Sequence, residues 1–198
     1  MIEIFQIIVL ILSAIIHEYL HGYVAHHLGD DTAKNAGRLT LNPLAHLEWF
    51  GSFFLPLMMV LSRMPFLIAW AKPVPYNPYN LRDRKYGEAK VAIAGPLGNL
   101  AIAVFFGLCL RFLPYMSLTF SGLLSVIIYI NLLLAVFNLL PIPPLDGSKV
   151  LALFLPPHLK EKYLRSDRMG FVFVIIVVML FGGIISGPVN FLFKLIAG

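Results

Sequence analysis

Residues 4–28 read IFQIIVLILSAIIHEYLHGYVAHHL, a largely apolar run whose second half becomes polar. The run is long enough to cross the roughly 30 Å hydrocarbon core of a bilayer as a helix. Its second half carries His17, Glu18 and His21. Such residues are costly inside a membrane unless they are paired or bind a metal ion. This stretch therefore connects the fold of the chain to its chemistry.

The composition of the whole chain supports a membrane location. Of the 198 residues, 59% are apolar and 13% are charged, whereas a soluble domain carries about 25% charged residues. So few charges cannot cover a globular surface, which excludes an ordinary soluble domain and intrinsic disorder. The net charge of +5 is dispersed and contains no run of five basic residues, so it does not predict nucleic-acid binding.

Four stretches are long and apolar enough to span a membrane as helices. We therefore predict an all-α polytopic membrane protein that forms a single membrane domain over residues 1–198. The predicted spans cover about residues 4–28, 91–110, 120–140 and 170–193.

A fifth apolar stretch, residues 50–71, is interrupted by Pro56, Arg63 and Pro65. Prolines break the hydrogen bonds of a helix, and an arginine at mid-membrane is costly. We predict that this stretch is re-entrant or lies on the membrane surface. On either side of it, residues 38–41 and 72–79 are predicted to form short strands or extended segments near the membrane surface.

The lysines and arginines predict the orientation of the spans. If residues 50–71 cross the membrane, ten lie on one side and four on the other. If they do not cross, 13 lie on one side and two, Arg111 and Lys194, on the other. Basic residues concentrate in cytoplasmic loops, so the second arrangement is favoured. It predicts a multi-pass protein of the cell membrane with both termini outside and cytoplasmic regions over about residues 29–90 and 146–169.

The sequence His17-Glu18-Tyr19-Leu20-His21 places two histidines four residues apart, on one face of a helix. They can bind one metal ion there, while Glu18 reaches a metal-bound water as general base. The pattern also arises by chance, and the alternative is a helix end that has left the bilayer with both histidines solvated. Their position in an apolar span favours the metal site.

A catalytic zinc needs a third protein ligand, and Asp146 is the favoured candidate. It ends a long uncharged run, and prolines before it stop the helix while Gly147 permits a close turn. Two histidines with one carboxylate and a hydroxide leave the ion neutral, which suits a low-dielectric site. Asp146 and the histidines share a membrane side only if residues 50–71 do not cross. The alternative is that Asp146 is a turn residue at the end of a span.

Three motifs in this order resemble the site-2 protease family of intramembrane zinc metalloproteases. They are the HExxH sequence at 17–21, Gly95-Pro-Leu-Gly-Asn99, and Asn138-x-x-Pro-x-Pro-x-x-Asp146-Gly. The resemblance covers about residues 1–150, which are expected to form the catalytic core. The chain has no room for the PDZ or CBS domains of larger members, so we expect a compact form.

The resemblance implies that one zinc ion is bound by His17, His21 and Asp146, and that Glu18 activates water. It also implies a site inside the bilayer but nearer the cytosol. The substrates would be transmembrane segments of other proteins, which the extended segments could hold as an added strand. Asn138 and Asn99 are expected to contact the substrate or its oxyanion.

Two other functions are consistent with the same residues. A metal-ion transporter would use the histidine pair as a transport site, but it would need several scattered carboxylates inside the membrane. A catalytically inactive scaffold would bind membrane partners without cutting them. Asn131 lies in the middle of a predicted span, where a polar side chain usually bonds to another helix. A role in a water path is the alternative for Asn131.

Overall fold

A computed structural model describes residues 2–62, 72–113, 116–164, 183 and 185–198. In these ranges the regular structure is helical and contains no β-strand. The helices are α1 (Ile2–His27), α2 (Thr32–Asn35), α3 (Pro43–His46), α4 (Leu55–Leu61), α5 (Gly87–Phe112), α6 (Leu118–Asn138), α7 (Asp146–Leu151), α8 (Pro157–Leu164) and α9 (Ile185–Ala197).

The helices α1, α5 and α6 are long and apolar enough to cross a membrane, with 26, 26 and 21 residues. They match the predicted spans at residues 4–28, 91–110 and 120–140, so the all-α fold and these three long helices are confirmed. The fourth predicted span, residues 170–193, lies mostly outside the described residues. Its last part falls in α9, a shorter apolar helix.

The three long helices pack antiparallel in chain order. Ser13 of α1 lies level with Asn99 of α5, and His21 lies level with Val91, because hydrogen bonds join each pair. Asn99 is joined in turn to Asn131 of α6. The second half of α1, the first half of α5 and the second half of α6 therefore share one end of the bundle.

An apolar core joins α9 to the long helices α5 and α6. It is built from buried side chains of α5, α6 and α9, namely Ala103, Ile128, Leu132, Ile185 and Val189. A methyl group at Gly107 of α5 would lie 2.2 Å from Ile196 of α9, so these two helices approach closely because Gly107 has no side chain. Burial of these aliphatic groups fixes the helices relative to one another.

The segment between α1 and α5 begins and ends at the same place. The amide of Arg82 donates to the carbonyl of Leu28 at 2.8 Å. Nearby, the carboxylate of Asp30 is fully buried and accepts hydrogen bonds from Thr32, Asn77 and Asn80. Burial alone would raise the pKa of Asp30, but these hydrogen bonds outweigh it and hold the pKa below its usual value. This carboxylate fastens the end of the segment to the end of α1.

The short strands predicted at 38–41 and 72–79 do not form, because both stretches are described and neither contains a strand. Residues 72–77 are irregular and are followed by a single 3-10 turn, Pro78–Asn80. Three prolines in this stretch lack the N–H that a sheet ladder requires, which explains why an extended segment does not become a strand.

The stretch predicted as re-entrant or surface-bound, residues 50–71, is described up to residue 62. It contains a π-helical turn, Trp49–Phe54, and α4. Trp49 is 80% exposed and Leu61 is 68% exposed. Residues 63–71 lie outside the described residues, so the path of the whole stretch stays a prediction.

Candidate metal centre

The two histidines of the HExxH sequence face the interior of the bundle from one side of α1. His17 and His21 are both buried, and their ring centroids lie 4.6 Å apart with the ring planes nearly perpendicular. Four residues advance a helix by about one turn, so the two imidazoles project from the same face. Each presents its Nε2 atom to the same point in the bundle.

Asp146 reaches that point because the chain turns back after α6. The helix ends at Asn138, ahead of Pro141, and the following turn brings Asp146 to the first position of α7. A methyl group at Gly147 would lie 2.1 Å from the carbonyl oxygen of Leu139. Only glycine allows the turn to close this tightly.

Three potential ligand atoms meet here. The Oδ2 atom of Asp146 lies 3.1 Å from Nε2 of His17 and 3.2 Å from Nε2 of His21. Neighbouring ligands of a tetrahedral zinc ion are about 3.3 Å apart when the bonds are 2.0–2.1 Å long. This is the one group of three or more potential metal ligands that the described residues bring together.

Second contacts fix the chemical form of both imidazoles. Nδ1 of His17 lies 2.6 Å from Oδ1 of Asn99, and Nδ1 of His21 lies 2.7 Å from the carbonyl oxygen of Val91. Both partners are acceptors, so each Nδ1 carries the proton and donates it. Nε2 of each ring is then the nitrogen that faces Asp146 and that a metal ion would bind. Two imidazole nitrogens and a carboxylate oxygen converge, and either a cation or protons on the rings would stabilise this arrangement.

The amide of Asn99 is itself held in place. Its Oδ1 accepts from His17, and its Nδ2 donates to the carbonyl of Ser13 and to Oδ1 of Asn131. The predicted contact between Asn131 and another helix is therefore confirmed. Nδ2 of Asn131 donates to the carbonyl of Ile127 in its own helix. A buried polar chain thus extends from the metal-facing ring of His17 to α6.

Gly95 leaves the space that an ion needs. A methyl group built on it would lie 2.6 Å from Nε2 of His17 and 2.6 Å from Nε2 of His21. The side chain would therefore stand against both ligand atoms. A bare backbone at this position lets α5 pack against α1 without filling the site.

Two charged side chains border the ligands. Glu18 is half-buried, and its Oε2 accepts a hydrogen bond of 2.8 Å from the amide of Val74. The ammonium group of Lys149 lies 3.7 Å from Oδ1 of Asp146, the oxygen that does not face the histidines. The charges of both side chains affect the electrostatic potential at the site, although neither side chain occupies a ligand position.

The predicted site residues fall into two groups. His17, His21 and Asp146 come together, whereas Asn99 lies behind His17 with both Nδ2 hydrogens engaged. Asn138 is the last residue of α6, and its Nδ2 donates to the carbonyl of Leu134. Substrate contacts by these two asparagines stay predictions.

Sequence reasoning missed two contacts at the site. The carbonyl of Val91 is a main-chain group, and no residue type signals it. The amide of Val74 had a signal, because Pro73 and Pro75 leave it as an isolated donor between them. Its target could not be inferred, since Glu18 is 56 residues away in the chain.

Comparison with known proteins decides the family. The sequence model described as peptidase family M50 matches residues 113–182. "Putative zinc metalloprotease YwhC" of Bacillus subtilis is 38% identical over 193 residues, which cover 93% of this chain and 84% of YwhC. The chain belongs to peptidase family M50. This is the site-2 protease family, so the family predicted from the three motifs is confirmed.

Other relatives of this M50 protein extend to archaea and mycobacteria. "Putative zinc metalloprotease MJ0611" of Methanocaldococcus jannaschii is 37% identical over 155 residues, covering 74% of this chain and 72% of the relative. "Putative zinc metalloprotease Rip2" of Mycolicibacterium smegmatis is 28% identical over 170 residues, which cover 85% of this chain and 64% of the relative. No solved structure gives a significant match.

The space at Gly95 can be tested directly. We expect Gly95→Ala to weaken zinc binding by about 10- to 100-fold or more, because its methyl group would contact both Nε2 atoms. Gly122→Ala is the matched control, since a methyl group there meets nothing within 4 Å. Metal content and competition with a zinc chelator measure the effect. Equal affinity in Gly95→Ala and Gly122→Ala would contradict the assignment of the site.

Proposed function

We propose that this M50 protein is a zinc metalloendopeptidase that hydrolyses peptide bonds within or near transmembrane segments of other membrane proteins. The observation that carries the proposal is the meeting of His17, His21 and Asp146, with Glu18 next to the first histidine in the chain. The zinc metalloprotease names of the M50 relatives support the same activity.

The donor set suits one zinc ion. Two imidazoles and one carboxylate are ligands that catalytic zinc commonly takes, with a fourth position left for water. His17 and His21 would bind through Nε2 and Asp146 through Oδ2. When bound, zinc lowers the pKa of water and polarises the scissile carbonyl. The hydrogen bonds to Asn99 and Val91 would keep both rings in the tautomer that binds metal.

Glu18 is the residue assigned to proton transfer. Its carboxylate would accept a proton from the attacking water and deliver it to the nitrogen of the leaving amine. We propose Asn138 as a hydrogen-bond donor to the oxyanion that forms at the scissile carbonyl. Because Nδ2 of Asn99 is engaged by Ser13 and Asn131, we assign Asn99 to the orientation of His17.

The position of the ligands along α1 supports a site inside the bilayer. His17 lies ten residues before the end of α1, which ends at His27. At 1.5 Å per residue this is about 15 Å from the end of the helix. A transmembrane substrate hides its carbonyls in its own helical hydrogen bonds, so it would have to unwind locally before water could attack.

The antiparallel packing of α1 and α5 supports the predicted topology. Two adjacent spans that run in opposite directions need a connection that starts and ends on one side, and residues 50–71 then make no net crossing. We propose that this side is cytoplasmic, because it carries most of the basic residues. Residues 1–150 form the catalytic core, 146–169 a cytoplasmic loop and 170–193 the final span, with both termini outside the cell.

Cysteine labelling tests this topology. In a Cys109→Ser background, Lys34→Cys and Lys72→Cys should both react with a membrane-impermeant maleimide only from the cytoplasmic side, because both side chains are exposed at one end of the bundle. Arg111→Cys, exposed at the opposite end of α5, should react only from outside. Labelling of positions 34 and 72 from opposite sides would mean that residues 50–71 span the membrane.

The transporter alternative finds less support. In the three long helices, the acidic residues other than Glu18 are Glu3 and Glu88, and both lie in the first turn of their helix. A path for an ion across the bilayer would need further ligands along its length. A catalytically inactive scaffold would not need three aligned metal ligands beside the carboxylate of Glu18.

Glu18→Gln separates the remaining possibilities. We expect the variant to keep its zinc and to cleave a membrane-spanning peptide in liposomes at least about 100-fold more slowly, because glutamine cannot accept the proton. Glu3→Gln, an exposed position on the same helix, is the matched control and should cleave normally. Bound zinc without cleavage of any helical substrate by the unmutated protein would contradict the protease. Cleavage that survives Glu18→Gln would contradict the mechanism.

A further inference from the structure

The segment before α5, Lys72-Pro-Val-Pro-Tyr-Asn-Pro78, has few backbone donors. Three of its seven residues are prolines and lack an N–H group. Three of the remaining amides donate to distant parts of the chain. Lys72 donates to the carbonyl of His46, Val74 to the carboxylate of Glu18, and Asn77 to the carboxylate of Asp30. The segment is therefore attached through its own main chain.

The attachments on either side of Val74 leave it little freedom. On one side, the guanidinium group of Arg38 donates to the carbonyls of Lys72 and Pro73, at 3.0 and 3.4 Å. On the other side, Asn77 is held 2.6 Å from the buried Asp30. Prolines at 73 and 75 restrict the backbone between these two anchors. The main-chain N–H of Val74 is therefore held in one orientation, toward Glu18.

The side chain of Val74 gives the segment its register against α1. It is 5% exposed, and its Cγ1 would lie 2.8 Å from a methyl group on Gly22. Gly22 is one helical turn beyond Glu18, so the same stretch of α1 receives the valine side chain and the valine amide. Sliding the segment by one residue would put a proline, which has no N–H, against the carboxylate.

The hydrogen bond from the amide of Val74 engages Oε2 of Glu18 and does not involve Oε1. An amide that donates to a carboxylate forms a charge-assisted hydrogen bond, which is stronger than a neutral one. A glutamate has several rotatable bonds, and fixing Oε2 removes most of that freedom. Oε1 can then face water near the metal ligands. A general base acts efficiently only when its oxygen is held within hydrogen-bonding reach of the water that it deprotonates.

We propose that the main-chain N–H of Val74 is a positioning group for Glu18, and this inference rests on the proposed function of Glu18 as general base. The proline-rich segment acts through the carboxylate and does not touch the substrate in this role. Its amides at 72, 74 and 77 are already engaged within the chain, so they are not free to pair with an added substrate strand.

Hydrogen exchange on the zinc-free protein tests the contact independently of catalysis. Exchange at the Val74 amide should be at least about tenfold faster in Glu18→Ala than in the unmutated protein, because alanine provides no acceptor. Glu18→Gln is the matched control, since its carbonyl oxygen can still accept the bond and should keep most of the protection. Equal exchange at Val74 in all three proteins would overturn the contact.

Kinetics of two variants at position 74 test the role. Val74→Pro and Val74→Ala both remove the branched valine side chain, but only proline removes the N–H group. We expect Val74→Pro to lower kcat by about 10- to 100-fold relative to Val74→Ala, with little change in KM and with full zinc content in both. Equal kcat, a higher kcat in Val74→Pro, or loss of zinc from Val74→Pro alone would overturn the positioning role.

These two measurements separate the inference from the function on which it rests. An unmutated protein that cleaves no membrane-spanning peptide would contradict the proposed protease and with it the role of Val74. Changed exchange in Glu18→Ala would still show that the contact exists in that case. A cleaving protein with unchanged exchange would instead contradict only the inference about Val74.

Discussion

Three electron-rich atoms have to share one point inside an apolar bundle, and most of the structure near them follows from that requirement. Oδ2 of Asp146 lies 3.1 Å from Nε2 of His17 and 3.2 Å from Nε2 of His21. In a low-dielectric interior these atoms are stable together only around a cation or extra protons. The antiparallel packing of α1, α5 and α6 and the proline turn before α7 bring them to the same level.

The polar groups near the ligands also hold parts of the fold together. Every hydrogen of the Asn99 side-chain amide has an acceptor, and the amide fixes a ring that faces the metal site. The buried Asp30 ties the segment before α5 to the end of α1. Since that segment also carries the amide of Val74 to Glu18, the same attachment supports the fold and the proposed base.

The sequence was sufficient for parts of the fold and of the site that depend on local patterns. Apolar length predicted α1, α5 and α6, and the spacing of His17 and His21 predicted a shared face. Asp146 was predicted from its isolation in an uncharged run. The strands predicted at 38–41 and 72–79 do not form; in 72–79, prolines extend the chain but also remove the donors that a strand needs. The contact through the carbonyl of Val91 leaves no pattern of residue types, because it depends on packing between distant segments. Pro73 and Pro75 single out the amide of Val74, but its partner Glu18 likewise depends on that packing.

Zinc X-ray absorption spectroscopy on the purified protein tests the central claim, that two histidines and one aspartate hold a single zinc ion. The account predicts nitrogen and oxygen neighbours at about 2.0–2.2 Å, the multiple scattering of two imidazoles, and no sulfur. His21→Ala should leave the signature of one imidazole in whatever zinc remains bound. A spectrum with three or more imidazoles, with sulfur, or unchanged in His21→Ala would contradict the claim.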